Sequence, residues 1–431
     1  MLKKLFGYDS STTSVRTELM AGLTTFLTMS YILAVNPNIL SATGMDKGAL
    51  FTATALASAV ATYILAFYAK MPLAQAPAMG VNAFFAYTLV INMGYSWQTA
   101  LTITFIEGII FIILTVLNIR DKIINCIPIS LRYAITVGIG FLIGFIGLKN
   151  AGIIQGDEGT LVTLSTFDLS KAIAAFGILL SAILVYKNIR GSLFYSIIIC
   201  TIISIMFGIT EIPENFTFFS KPASLEPIFF KFDFSSLLSL DVLTITFILV
   251  FMDMFNTIGT IVGTASQAGI MAKDGSIPHI KETLMSDALG TSAGAILGTS
   301  TVTTFVESSA GIAEGGRSGL TAFSTATLFL LALFLAPVFT IIPSIATTGA
   351  LVIVGAFMMA SVKNINYSDL SDTIPSFITI LTMIVTYSIA EGIVFGLVSY
   401  TVINLFTKQY NKIHPTLYII SILLIIRYFI M

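Results

Sequence analysis

Gly298-Thr299-Ser300-Thr301-Val302-Thr303-Thr304-Phe305-Val306-Glu307-Ser308-Ser309-Ala310-Gly311-Ile312-Ala313-Glu314-Gly315-Gly316-Arg317 lies between two long apolar runs and cannot itself be an ordinary lipid-facing helix. Thr299 to Thr304 is β-branched and hydroxyl-rich, which favours an extended segment. Ser308 onward is small and flexible as far as Gly315-Gly316. An extended piece joined to a half-helix turns backbone N–H groups toward a cavity, and such backbone is tolerated at membrane depth only where protein or a water-filled site satisfies it. A helix start there also offers a partial positive charge to a polar ligand. Glu307 falls at that junction.

Outward from this stretch the chain is overwhelmingly apolar. Of its 431 residues, 56% are hydrophobic and 10% charged, with a mean hydropathy of +0.95. A soluble domain carries about 25% charged residues, and a chain this apolar has too little polar surface to cover itself in water. Its natural surroundings are lipid. A net charge of -1 gives no reason to expect a nucleic-acid partner. Cys126 and Cys200 are far apart and sit in or beside apolar runs, so they read as packing residues, not as a disulfide framework or a metal site. With His279 and His414 as its histidines, the chain is not expected to bind zinc. Residues 1–16, with Lys3, Lys4 and Arg16 and no small-residue cleavage pattern, read as a cytoplasmic tail and not as a signal peptide.

Apolar runs of roughly 17 to 25 residues, the length that crosses a bilayer, recur near 17–39, 49–69, 78–94, 98–118, 131–149, 171–187 and 192–210. They resume near 241–263, 283–299, 302–314, 318–342, 345–361, 373–389, 391–407 and 415–430. Run 302–314 is too short to cross alone, and 373–407 reads as one hairpin or as two full spans, so the expected total is about 14, with 15 open. With the N-terminus inside, Lys70, Arg120, Lys122, Arg132, Lys187, Arg190, Lys273, Lys281, Arg317 and Lys363 share the inner side. Lys47, Lys149, Lys171, Lys221 and Lys231 fall opposite, which is the positive-inside asymmetry. The stretch 211–240, with Pro213, Pro222 and Pro227, is then an external connection between two nearly equal halves. Ile127-Pro128-Ile129-Ser130 and Ile342-Pro343-Ser344 each open a span, and Val81-Asn82-Ala83 has a setting like that of Val306-Glu307-Ser308. The second half is expected to be inverted relative to the first, and inverted repeats with interrupted helices are a transporter pattern.

Ionisable residues inside spans are costly and are functional suspects. Asp253 shares a helix face with Asn256, three residues on; its alternative role is a buried structural acid. Glu314, beside Gly315-Gly316-Arg317, fits a local pair with Arg317 better than a ligand contact. Pro77 and Gly80 disfavour a regular helix start before Asn82, which carries both a donor and an acceptor. Glu18, Glu107, Asp287 and Glu391 read as structural. The combination of carboxyls, amides, hydroxyls, open backbone and phenylalanines suits a flat, neutral, polar heterocycle such as a purine base. Glu307 accepts from a ring N–H, Asn82 or Asn256 complements a carbonyl or ring nitrogen, and Phe305 and Phe84 or Phe85 stack. Ser308 and Thr257 complete the candidate set. Glu307 first, and Asp253 second, are the groups expected to carry a coupling proton from one side to the other.

Three of these segments carry a family resemblance: Gln75-Ala76-Pro77-Ala78-Met79-Gly80-Val81-Asn82-Ala83-Phe84-Phe85, Phe255-Asn256-Thr257-Ile258-Gly259-Thr260, and Glu307 to Arg317. They resemble the AzgA-like purine permeases, within the nucleobase–ascorbate (nucleobase:cation symporter-2) transporters, and the resemblance runs over essentially the whole chain. It implies an all-α polytopic fold of 14 spans in two inverted seven-span repeats, with short strands in spans 3 and 10. It implies a cytoplasmic tail (1–16), a core domain from 17–118 and 241–342, a gate domain from 119–210 and 343–431, and an external connection at 211–240. The implied activity is proton-driven import of hypoxanthine, guanine or adenine across a plasma membrane by an elevator-like motion, in a homodimer contacting through the gate. By position, Glu307 matches the span-10 acid that binds the base, Phe305 the aromatic that stacks on it, and Asn82 the span-3 polar residue. Asn256 departs from the family pattern, which has an acid there; proton coupling would then rest on Asp253 or on Glu307 alone.

An anion transporter of the sulfate/bicarbonate type shares this architecture, but its site has basic or neutral residues where this chain has Glu307. A channel is the other alternative. No nucleophile–base pair, metal set or phosphate loop is visible, so neither an enzyme nor a cofactor is expected.

Overall fold

A computed structural model of the chain describes residues 2–117, 128–157, 159–189, 191–213, 216–235, 237, 239–267, 277, 279–305, 307–387 and 389–430. The side chains of 240, 251, 252, 255, 256, 258, 259, 262–267, 389, 390, 419, 420, 423 and 426–430 lie outside this description. So do Arg120, Lys122, Cys126, Ile127, Arg190, Lys273 and Val306, and with them the side chain of Asn256.

The fold is mostly helical. In chain order the helices are α1 (Leu2–Phe6), α2 (Val15–Met29), α3 (Ile32–Ser41), α4 (Lys47–Ile64), α5 (Met79–Ala83), α6 (Trp97–Val116), α7 (Ile129–Asn150), α8 (Leu169–Tyr186) and α9 (Ser192–Met206). After the connection come α10 (Leu240–Gln267), α11 (Ile280–Leu297), α12 (Ser308–Ala313), α13 (Gly319–Ala332), α14 (Ala336–Thr340), α15 (Ser344–Met359), α16 (Leu370–Val385), α17 (Ile389–Phe406) and α18 (Pro415–Ile430). Among the described residues, 7 helical stretches are long and apolar enough to cross a bilayer, and shorter apolar helices such as Met79–Asn92 and Leu370–Val385 accompany them. Asp46 and Asp168 accept the N–H of Ala49 (2.7 Å) and Lys171 (3.0 Å) and so start α4 and α8, satisfying donors that no helix can pair internally.

Packing divides the chain into two compact units. The larger is Met1–Ile113 with Gly147–Ala350; the smaller is Leu114–Ile146 with Leu351–Met431. In the larger unit small residues let helices approach closely. A Cβ on Gly311 of α12 would stand 2.5 Å from the Ala21 carbonyl of α2, and one on Gly319 would stand 2.1 Å from the Ala66 carbonyl. The first apolar run is not continuous. Ser30 and Tyr31 separate α2 from α3, and both are buried.

Among the described residues, four strands interrupt the helices. β1 (Gln75–Pro77) pairs antiparallel with β4 (Val302–Thr304), Gln75 facing Thr304 and Pro77 facing Val302. Pro77 lacks an N–H and is tolerated in such an edge position. The threonines of 302–304 are extended, as their β-branched composition predicts. β2 (Ile154–Asp157) and β3 (Leu161–Leu164) form an unanticipated hairpin. One Asp157 carboxylate oxygen accepts the N–H of Gly159 (2.9 Å) and of Thr160 (2.8 Å) in its turn.

In the smaller unit α16 and α17 form a helical hairpin, with Tyr387 at the turn in a left-handed conformation (φ 55°). Stretch 373–407 is thus two helices. A Cβ on Gly392 would lie 2.7 Å from the Thr379 carbonyl, so the hairpin closes on glycine. Asp369 caps α16 through Ser371 N–H (2.9 Å) and pairs with Lys412 ahead of α18.

Candidate functional site

The β1–β4 ladder is extended by one hydrogen bond at each end. Ala78 N–H donates to the Thr301 carbonyl (2.9 Å) and Phe305 N–H to the Ala74 carbonyl (3.0 Å). Each strand runs directly into helix: β1 into α5, continued as a π-helical stretch from Phe84 to Asn92, and β4 into α12. Because the strands are antiparallel, the two half-helices leave the ladder in opposite directions.

Glu307 stands at the boundary of α12 and is half-buried. Its Oε1 accepts from the Tyr31 hydroxyl at 2.6 Å, and its carbonyl accepts from Thr28 Oγ1 at 3.5 Å. Thr28 and Tyr31, at the junction of α2 and α3, thus hold the first span against the acid. Phe305 is buried, and Ser308 Oγ accepts the N–H of Ala74 at 3.0 Å. That bond ties the start of α12 to the residue preceding β1.

The remaining candidates join two further polar groups along the same strand. Thr257 Oγ1 shares a hydrogen bond with Thr303 Oγ1 (2.6 Å) and lies 3.0 Å from Asp287 Oδ2 and 3.4 Å from Asp253 Oδ1. All four residues are buried. Thr301 Oγ1 donates to Glu107 Oε2 at 2.7 Å. Asn82 accepts from the Ser300 hydroxyl through Oδ1, and its buried Nδ2 makes no hydrogen bond within the chain among the described residues. Phe84 is buried where the π-helical stretch begins.

Ser300 and Thr301 just before β4 and Thr303 within it thus connect to Asn82, Glu107 and the Asp253–Thr257–Asp287 group, and Phe305 follows the strand on the way to Glu307. Phe305 and Ser308 both bond to the Ala74 backbone, Glu307 is held by Tyr31 and Thr28, and the Thr257 hydroxyl is engaged with Asp253, Asp287 and Thr303. Tyr31 escaped the sequence reading although two hydroxyl residues in mid-run were its signal. Glu107 and Asp287 were read as structural, and both receive threonine hydroxyls. Arg317 donates to the carbonyls of Ile312 (2.6 Å) and Gly316 (2.7 Å), closing the end of α12. Glu18 accepts the N–H of Arg317 (3.1 Å) and of Ser318 (3.3 Å), fastening the start of α13 to α2.

A mostly helical polytopic fold with broken spans paired through short strands defines an integral membrane protein of transporter architecture. The same fold is seen in the transmembrane domain of a cyanobacterial bicarbonate transporter, BicA, with a TM-score of 0.63 over 88% of this chain and 97% of that one, at 15% identity. The model of the permease family matches residues 16–395, and the chain belongs to that family. A protein of Methanocaldococcus jannaschii is 46% identical over 428 residues, 99% of this chain and 98% of that protein. The adenine permease AdeP of Escherichia coli is 38% identical over 99% of this chain and 96% of its own length. The guanine/hypoxanthine permease PbuO of Bacillus subtilis is 38% identical over 99% and 100%.

Proposed function

We propose that the chain imports a purine nucleobase, with hypoxanthine or guanine ahead of adenine, by proton symport through elevator-type alternating access. The observation that carries this is Glu307: a half-buried carboxyl at the junction of an extended strand and a half-helix, oriented by Tyr31 and two residues from a buried phenylalanine. A carboxyl so placed accepts from the N–H edge of a heterocycle, and Phe305 supplies an apolar face for its ring. Asn82 adds a donor in Nδ2, and Asn256, Ser308, Thr257 and Phe84 complete the proposed substrate set. Relatives covering nearly the whole chain are named for adenine and for guanine/hypoxanthine.

Glu307 is also the proposed proton carrier, with Asp253 second. Half-helices that leave an antiparallel ladder in opposite directions support two inverted seven-span repeats. Within these, 17–118 and 241–342 form a moving core, 119–210 and 343–431 a gate that pairs two copies, and the N-terminus lies in the cytoplasm of a plasma-membrane protein. The fold likeness to a bicarbonate transporter raises anion transport as a second reading, but a carboxylate at the junction repels an anion.

Uptake of radiolabelled hypoxanthine, guanine, adenine and sulfate into cells or proteoliposomes, with and without a protonophore, tests both readings. Purine accumulation abolished by the protonophore is expected. Glu307→Gln should lose accumulation against a gradient; a variant that still concentrates purine with unchanged proton dependence would remove Glu307 from the mechanism.

A further inference from the structure

The connection between the halves holds a line of phenylalanines that no transport step uses. Phe218 and Phe219 are 69% and 73% exposed, Phe229 and Phe230 46% and 61%, and Phe234 52%, while Ile228 between them is fully buried. Phe230 adopts a left-handed conformation (φ 55°), which bulky residues seldom take. Its N–H is nonetheless held by the Ile296 carbonyl at 2.9 Å, so the fold fixes the backbone in a form that turns a ring outward.

The level of these rings along the spans follows from what holds the segment. Ser220 N–H donates to the Phe334 carbonyl just past the end of α13 (3.0 Å), and Thr52 Oγ1 near the start of α4 donates to Ala223 (3.0 Å). Phe230 meets the last turn of α11, and Asp233 binds Thr99 and Thr102 in the first turns of α6 (3.1 and 2.8 Å). These are the ends of four helices on one side of the same unit. The exposed rings therefore continue the apolar flank to which Phe334, itself 51% exposed, already belongs. Lys221 and Lys231 border the rings in sequence, and long cationic side chains in such a place can reach lipid phosphates while their stems stay among apolar groups.

We propose that residues 216–234 lie within the outer boundary of the lipid leaflet, with the exposed phenylalanines seated among acyl chains, in the manner of an interfacial segment. The occupant is lipid. The flank is continuous with the lipid-facing helices, the rings are apolar throughout, and cationic side chains border them. The segment acts as a strap that fixes the ends of α4, α6, α11 and α13 at one depth in the membrane.

The chain has one tryptophan, Trp97, so a Trp97→Phe background carrying Phe218→Trp reports this surface alone. Reconstituted in phosphatidylcholine brominated on the upper acyl chain, that tryptophan should emit to the blue and lose the larger part of its intensity. Bromines near the bilayer centre should quench less, in keeping with a depth of roughly 5–10 Å. Glu226→Trp in the same background, on the exposed polar edge of the segment, should instead be quenched by aqueous iodide. Equal intensity of Phe218→Trp in brominated and plain lipid, with quenching by iodide, would overturn the proposal. Disulfide crosslinking of Phe218→Cys between copies in the absence of bromine quenching would overturn it too, by giving the surface to a second copy.

Discussion

At the scale of single residues, the chemistry gathers where the hydrophobic pattern fails. Glu307 and Asn82 stand out in the sequence as candidates because a charge or an amide inside an apolar run has few bland explanations. Tyr31 does not, since a tyrosine in a span is ordinary; only the packing of the first span against the start of α12 brings its hydroxyl to Glu307. A hydrogen bond to a charged group is worth about 1.5–3 kcal/mol, and each 1.4 kcal/mol is about tenfold in affinity. Tyr31→Phe keeps the buried ring and removes the donor. It should weaken purine binding by about tenfold or more and also lower the melting temperature of the solubilised protein, because the unliganded fold already contains the bond. Equilibrium binding and a thermal scan on one preparation check both parts. Unaltered affinity would mean that Tyr31 only fills space.

At the scale of elements, the broken span after α11 was readable from composition: threonines for the strand, small residues for the half-helix. Three features were not. The Tyr31–Glu307 hydrogen bond joins residues 276 positions apart and depends on tertiary packing. The β2–β3 hairpin depends on a turn built around Asp157, which the polar run 157–160 signalled only by position. Two of the polar partners of Thr257 come from elsewhere in the chain, Asp287 on a helix thirty residues on and Thr303 on β4. The closeness of α12 to α2 yields a direct test. Gly311→Ala places a methyl 2.1 Å from Thr25 Oγ1 and 2.5 Å from the Ala21 carbonyl, and overpacking of this kind costs about 1–3 kcal/mol. The melting temperature should fall, and uptake should fall further than stability explains, because α12 carries Glu307 at its start. A second tie, in the smaller unit, responds to pH. The Lys412 ammonium, with the Ser371 hydroxyl and N–H, draws the Asp369 carboxyl from its ordinary 3.8 down to about 2. A lowered carboxylate contributes stability that is present above the unfolded value and lost as pH falls through the folded one. Asp369→Asn should therefore melt earlier than wild type at neutral pH, and the gap should close between pH 4 and pH 2.

At the scale of the whole molecule, the two kinds of likeness point to different cargoes and carry different weight. Shape alone relates the chain to a bicarbonate transporter at 15% identity, a distance at which function follows the site and not the fold. Sequence relates nearly the whole chain to permeases named for adenine and guanine/hypoxanthine at 38% identity. The proposed site favours the second. On the proposed site, an anion beside the half-buried carboxyl of Glu307 would meet repulsion, whereas a purine would meet an acceptor there, the Phe305 ring and the amide of Asn82, whose Nδ2 has no hydrogen bond among the described residues. A ligand that binds only the folded state stabilises it by about 2.7 kcal/mol at a hundred times its Kd. Hypoxanthine or guanine in such excess should raise the melting temperature of the solubilised protein by several degrees, and bicarbonate and sulfate at millimolar concentration should leave it in place. Glu307→Gln should reduce the purine shift, whereas removing the exposed rings of 216–234 should not. A shift produced by bicarbonate and not by any purine would mean that the architecture, and not the carboxyl at its centre, names the cargo.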